Sequence, residues 1–181
     1  MRRFVPLCTV ILLLSPALVQ IRAGEPEPAM RILNSAVKEA GASGRTVFLI
    51  FHASWCKWCR KLEAVLDAPD VKKLIDDNYV VVRLDVMERG EKVQALENPG
   101  GQAIMNELGG SDSGLPFYAF IDGGGKKIAD SKVVGPQKEN IGFPGSPEEI
   151  ALFEKLLKQT APRMTDEQRA GVMKRFPHEG G

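Results

Sequence analysis

Five consecutive apolar residues, Val47-Phe48-Leu49-Ile50-Phe51, constrain this chain most. A strand turns successive side chains to opposite faces, so an unbroken apolar run needs cover on both sides. The run therefore predicts a central strand lying between helices. It leads directly into Trp55-Cys56-Lys57-Trp58-Cys59, and Arg60 to Leu66 follows with helical character. The expected unit is a buried strand, a turn, and a helix that begins at Cys56.

That position has chemical consequences. Thiolate is the reactive form of cysteine, and a free thiol has a pKa of about 8.5. The first turn of a helix offers unpaired N–H groups and the positive end of the dipole. Cys56 is thus expected to ionise more readily than a free cysteine. Cys59 lies one helical turn later on the same face, within reach of a bond to Cys56. Such a pair suits attack on a partner's disulfide by one sulfur and resolution by the other. Two other readings stand beside it. Half of a zinc site would need further ligands, for which only His52 and His178 offer themselves. A structural bridge closing so short a loop adds little entropic stability. The helix-start context favours redox chemistry.

The 181 residues suffice for one domain with a real core. Hydrophobic content of 44% and charged content of 26% are those of a soluble globular protein. The N-terminus begins with Arg2-Arg3, continues with an apolar run from Phe4 to Val19, and reaches Ala23 before Gly24-Glu25-Pro26. This reads as a secretory signal peptide cut near Ala23. An uncleaved anchor is the alternative, against which the run is shorter than the ~20 residues a span needs. Residues 1–23 hold Arg2, Arg3 and Arg22 and no acid, so their removal leaves 21 basic against 23 acidic residues, a net of −2. No basic excess points to a nucleic-acid partner. Cys8 would leave with the leader, and the mature chain would then hold only Cys56 and Cys59.

The organisation read from the sequence is a cleaved peptide (1–23), a linker and helix (24–45), a main domain (46–160), and a short helix with a tail (161–181). Met30, Leu33, Ala36, Val37 and Ala40 have helical spacing, with Gly41 and Gly44 as the stop. Ala68-Pro69-Asp70 breaks the helix after the cysteines. Tyr79 to Val86 is a second strand. Met87 to Gly101 is polar and less regular, and Gln102 to Leu108 is helical. Pro116 to Ile121 is a third strand, Asp122-Gly123-Gly124-Gly125 a turn, and Lys126 to Val134 a fourth strand antiparallel to the third. Ser146-Pro147-Glu148-Glu149 is a capping-box helix start, with Ile150, Phe153, Leu156 and Leu157 as the buried stripe. Thr165 to Gln168 opens a last helix.

The strand into Trp55-Cys56-x-x-Cys59, the Tyr79–Val86 strand, Leu115-Pro116 before the third strand, the glycine hairpin and the closing helix together resemble the thioredoxin superfamily. The similarity runs over about residues 46–160 and is nearest to secreted or periplasmic domains of that type. It implies a thioredoxin-like α/β/α sandwich around a mixed sheet of about four strands. It also implies an exported thiol–disulfide oxidoreductase without cofactor or metal. By that resemblance Cys56 is the nucleophile and Cys59 the resolving thiol. Pro116 is the cis-proline facing them, and the backbone of Leu115 pairs with an extended substrate strand. Substrates would be proteins with disulfides or thiols. Reduction would be the favoured direction, with electrons from a membrane-embedded thiol carrier.

The chain departs from thioredoxins proper at three places. Ile50 stands where a buried acid is found six residues before the first cysteine. Lys57-Trp58 replaces Gly-Pro between the cysteines. The Met87–Gly114 segment is longer, and it is expected to shape the substrate surface near Pro116. Lys57 is a candidate for stabilising the Cys56 thiolate, Trp55 for lining the site or packing, and Trp58 for an exposed cover. His52 is a tuning residue or an ordinary hydrogen-bonded one. Phe143-Pro144 is read as packing over the sheet edge, with a partner contact as the other reading. The rival functions are a copper-handling module using Cys56, Cys59 and His52, and a redox-inactive adaptor using the groove near Pro116.

Overall fold

The computed structural model describes residues 25–177. The expected leader (1–23), Cys8 and His178 lie outside the described residues.

The strand β1 (Thr46–His52) and its alternation divide the core into two halves. Phe48 and Ile50 point to one face, and Val47, Leu49 and Phe51 to the other. All five are fully buried. On the first face they meet α2 (Lys57–Leu66), α3 (Pro69–Asn78), α6 (Pro147–Thr160) and α7 (Asp166–Met173), through Leu62, Ile75, Phe153, Leu157, Val172 and their neighbours. On the second face they meet α1 (Ala29–Ser43) and α5 (Gly101–Met105), through Ala36, Ala40, Ile104 and Met105. An unbroken apolar run is thus a single strand read alternately by two helical layers.

The sheet has four strands in the order β2-β1-β3-β4, with β2 spanning Tyr79–Asp85, β3 Phe117–Ile121 and β4 Lys127–Asp130. β1 runs parallel to β2, with Val47 opposite Val80, and antiparallel to β3, with Ile50 opposite Tyr118. The architecture is an α/β fold with a central mixed sheet between helical layers.

Both capping boxes form: Ser146 with Glu149 opens α6, and Thr165 with Gln168 opens α7. Pro69 starts a new helix in its first turn, so the break after Leu66 is a junction between two helices. Helix α1 runs through Gly41 and ends at Gly44, which takes a left-handed conformation (φ 64°). Met30 falls off its buried stripe and is exposed, the core contact passing to Ala29.

One expectation needs correction. The strand expected over Lys126–Val134 is divided into β4 and β5 (Lys132–Val134), and β5 pairs with β6 (Glu139–Asn140) in a separate hairpin. Fully buried Ser131 makes the division. Its hydroxyl accepts from the Tyr118 N–H at 3.1 Å and its N–H donates to the Tyr118 carbonyl at 2.9 Å. Its own carbonyl accepts from Ile141 at 2.9 Å. One residue thus closes the β3 ladder and starts the chain toward a new partner. The helix expected over Gln102–Leu108 is present, as α5 continued by a π-helical turn, Asn106–Gly110, and its helical conformation breaks at Gly109 (φ 96°). A short helix, α4 (Lys92–Leu96), stands in the irregular segment before it.

Candidate active site

The end of β1 delivers residues 53–56 to the start of α2, and Cys56 occupies the N-cap position in extended conformation. Its Sγ accepts from the Cys59 N–H at 3.1 Å, one of the donors a helix start leaves unpaired. The two cysteines form a disulfide, with Cα atoms 5.3 Å apart. Cys56 is 3% exposed and Cys59 1%, so accessibility hardly separates them. Both pack with Ala53 and with half-buried Leu115.

The Leu115–Pro116 peptide bond is cis, and Pro116 is buried beside the site. Asn140 fastens this loop from the β5–β6 hairpin. Its Nδ2 donates to the carbonyls of Gly114 at 2.9 Å and Pro116 at 3.0 Å. Between these two, neither peptide group of Leu115 has a hydrogen-bond partner among the described residues. An open groove of about 720 Å³ runs past Leu115, bounded by Trp58, Asp112, Asn140 and Phe143.

Trp58 is half exposed and stacks on Phe143, with ring centroids 5.8 Å apart and planes 21° from parallel. Lys61 Nζ sits 4.4 Å from the Trp58 ring centre. Phe143 also packs against Phe176 of the C-terminal segment, so it combines core packing with a groove-facing role. Trp55 is 39% exposed, donates through Nε1 to the Met87 carbonyl at 2.8 Å, and carries the Arg89 guanidinium 4.1 Å above its ring. Lys57 is exposed.

The segment after β2 braces the turn before Cys56. Glu88 is buried, and its carboxylate accepts from both the N–H and the hydroxyl of Ser54. Lys92 donates to that hydroxyl at 3.0 Å, and Arg60 to the Ser54 carbonyl at 2.9 Å. The Met87–Gly114 segment was expected near Pro116. Its end, Asp112 to Gly114, is there, but its beginning lies against Ser54 and Trp55. Sequence reasoning missed Glu88 and Asn140, because neither stands in a pattern that separates it from ordinary surface polar residues.

His52 shares the β1 face of Ile50, as period-two alternation requires. Its Nδ1 is 3.0 Å from Glu63 Oε1 on α2, and its Nε2 is 3.5 Å from Asp85 Oδ1 on β2. Burial raises the Asp85 carboxyl above its ordinary range; His52 opposes this, and Glu88 and Glu97 add to it. Fully buried Ile50 offers the cysteines no carboxylate. Among the described residues no cluster of three or more His, Cys, Asp or Glu is arranged to hold a metal ion, and no helix is long and apolar enough to cross a membrane.

A family model described as thioredoxin-like matches residues 29–123. A 94-residue stretch is 31% identical to the thiol:disulfide interchange protein DsbD of Photorhabdus laumondii, covering 51% of this chain and 14% of that protein. A 123-residue stretch is 24% identical to protein disulfide isomerase-like 1-1 of Arabidopsis thaliana, covering 62% of this chain and 24% of that one. The matches thus span about a quarter or less of these relatives' own length. Among solved structures, a disulphide isomerase from Xylella fastidiosa Temecula1 superposes with a TM-score of 0.49 at 18% identity, over 81% of this chain and 89% of that one. With more than half of its length matched by the family model, the chain belongs to the thioredoxin-like family.

Proposed function

We propose that this chain is an exported thiol–disulfide oxidoreductase that reduces protein disulfides through Cys56 and Cys59. The observation that carries the reading is the Cys56–Cys59 disulfide at the N-cap of α2, with a backbone N–H directed at Cys56 Sγ. In the dithiol form that N–H and the helix dipole favour a thiolate on Cys56. The thiolate attacks one sulfur of a substrate disulfide. A mixed disulfide forms and the other substrate sulfur leaves as a thiolate. Cys59, losing its proton, then attacks Cys56 Sγ and expels the second substrate sulfur. Two electrons pass to the substrate, its sulfurs take up two protons, and the chain is left as the disulfide. A dithiol donor, by family analogy a membrane-embedded thiol carrier, must return the two electrons.

Leu115 supplies an unpaired peptide unit for an extended substrate segment, and the adjoining groove supplies room for its side chains. Lys57, exposed in the first helical turn, adds positive charge near the Cys56 thiolate. Export rests on the N-terminal leader pattern, and with it the division into a cleaved peptide (1–23), an N-terminal extension (24–45), the main domain (46–160) and a C-terminal appendage (161–181).

The test is insulin-disulfide reduction with dithiothreitol as donor, beside equilibration of the Cys56–Cys59 couple in glutathione buffers. Turnover that disappears in Cys56→Ser, with a potential more negative than that of the substrates, supports the reading. A couple that does not cycle between dithiol and disulfide would overturn it.

A further inference from the structure

Five cations surround the Cys56 turn, and none forms an ion pair among the described residues: Lys57, Arg60, Lys61, Arg89 and Lys92. Elsewhere many surface cations meet carboxylates, as in Lys72–Asp76, Lys73–Asp77, Lys127–Asp130, Lys132–Asp112 and Arg175–Asp70. Lys38, Lys126, Lys138, Lys155, Arg163 and Lys174 also form no ion pair among the described residues, but around Cys56 five such cations gather at one turn. At the rim they are held by neutral partners instead. Arg60 and Lys92 both bond to Ser54, two residues before Cys56. Arg89 lies on the Trp55 ring and Lys61 on the Trp58 ring. Four of the five charged groups are thereby fixed close to the redox pair without a direct ion pair among the described residues.

The nearby acids offset them only in part. Glu88 is buried with both oxygens bonded to Ser54, and Glu63 is drawn beneath the helix to His52 and Arg83. Glu91 is the exposed carboxylate on the same loop. The arrangement also opposes helix preference. The first turn of α2 carries Lys57 and Arg60 and no acid, whereas the positive end of a helix favours acids. Arg60 and Lys92 also brace the turn through Ser54, but helix preference does not account for cations at the start of α2, whereas complementarity to an acidic partner would.

We propose that this rim recognises acidic segments: the preferred substrates of the Cys56–Cys59 pair carry Asp or Glu beside the cysteine that is attacked. The two exposed tryptophans, each with a cation over its ring, form the contact surfaces, and the groove past Leu115 receives the rest of the extended segment. The inference rests on the oxidoreductase reading and adds a substrate class to it.

Three disulfide-linked peptide pairs of equal length and cysteine spacing test it, flanked by Glu, Gln or Lys. Their second-order rate constants with the reduced full chain are measured by stopped-flow tryptophan fluorescence at low and at molar salt. The Glu-flanked pair should react on the order of tenfold or more faster than the Lys-flanked pair at low salt. In molar salt, where charges are screened beyond about 3 Å, the ratio should fall close to one. In the combined Lys57→Gln, Lys61→Gln, Arg89→Gln variant the ratio should be several-fold smaller than in the parent at low salt. Equal rates for the three pairs at low salt would overturn the inference while leaving the oxidoreductase reading standing. Failure of the parent chain to reduce any of the three would overturn that reading and this one with it.

Discussion

Glu88 closes both of its carboxylate oxygens on Ser54, 34 residues earlier in the chain, one on the backbone N–H and one on the hydroxyl. The turn that presents Cys56 is therefore held from outside, by a loop following the neighbouring strand. Removing the carboxylate leaves a part-buried donor without its partner, which costs about 1–3 kcal/mol. Glu88→Ala should lower Tm accordingly and slow reaction of the reduced chain with a model disulfide, while Glu88→Gln, which retains one acceptor, falls between. A Tm and rate equal to the parent's in Glu88→Ala would show that the brace is dispensable.

Cys56 at the N-cap and Cys59 one turn later differ in placement far more than in exposure. Cys59→Ser should therefore accumulate a stable mixed disulfide through Cys56, visible as an added mass that dithiothreitol removes. Cys56→Ser should accumulate none. If the adduct instead forms through Cys59, the order of attack is reversed.

Asp85 yields a pH prediction. Burial is the main cause that raises its carboxyl pKa in the folded chain, with His52 acting against it. The folded state thus holds this proton more tightly than the unfolded state. The associated stability is fully present below the ordinary value of 3.8 and is lost as pH rises through the raised folded value. Asp85→Asn should accordingly melt at a higher temperature than the parent at neutral pH, with the advantage gone below pH 3.8. Thermal melts across pH check this, and an Asn variant that is less stable at neutral pH would contradict it.

Gly123 and Gly171 should respond oppositely to alanine. A Cβ on Gly123 would lie 2.6 Å from Gly41 Cα and 2.8 Å from Gly41 N, so backbone of α1 would have to retreat. Overpacking of this kind costs about 1–3 kcal/mol. On Gly171, inside α7, a Cβ meets nothing within 4 Å. There alanine should stabilise by up to about 1 kcal/mol through helix propensity. Calorimetric melts of the two variants should move in opposite directions.

The two sulfurs and the layer order were legible in the sequence because local pattern carries them. Val47 to Phe51 could be buried only by cover on both faces, and Cys56 at a strand-to-helix junction needs only its own neighbours to acquire its N–H donor. Gly123 shows the limit. In the sequence it is one of three turn glycines, and only docking of α1 against the β3–β4 turn makes it a close-approach position. Ser131, Asn140 and Glu88 are ordinary polar residues until segments 13 or more positions apart bring them to Tyr118, Pro116 and Ser54. Periodicity and capping act within a turn or two of helix or strand, so they are written locally. The partners of a buried polar group are chosen by which distant segment reaches it, and that depends on the assembled core.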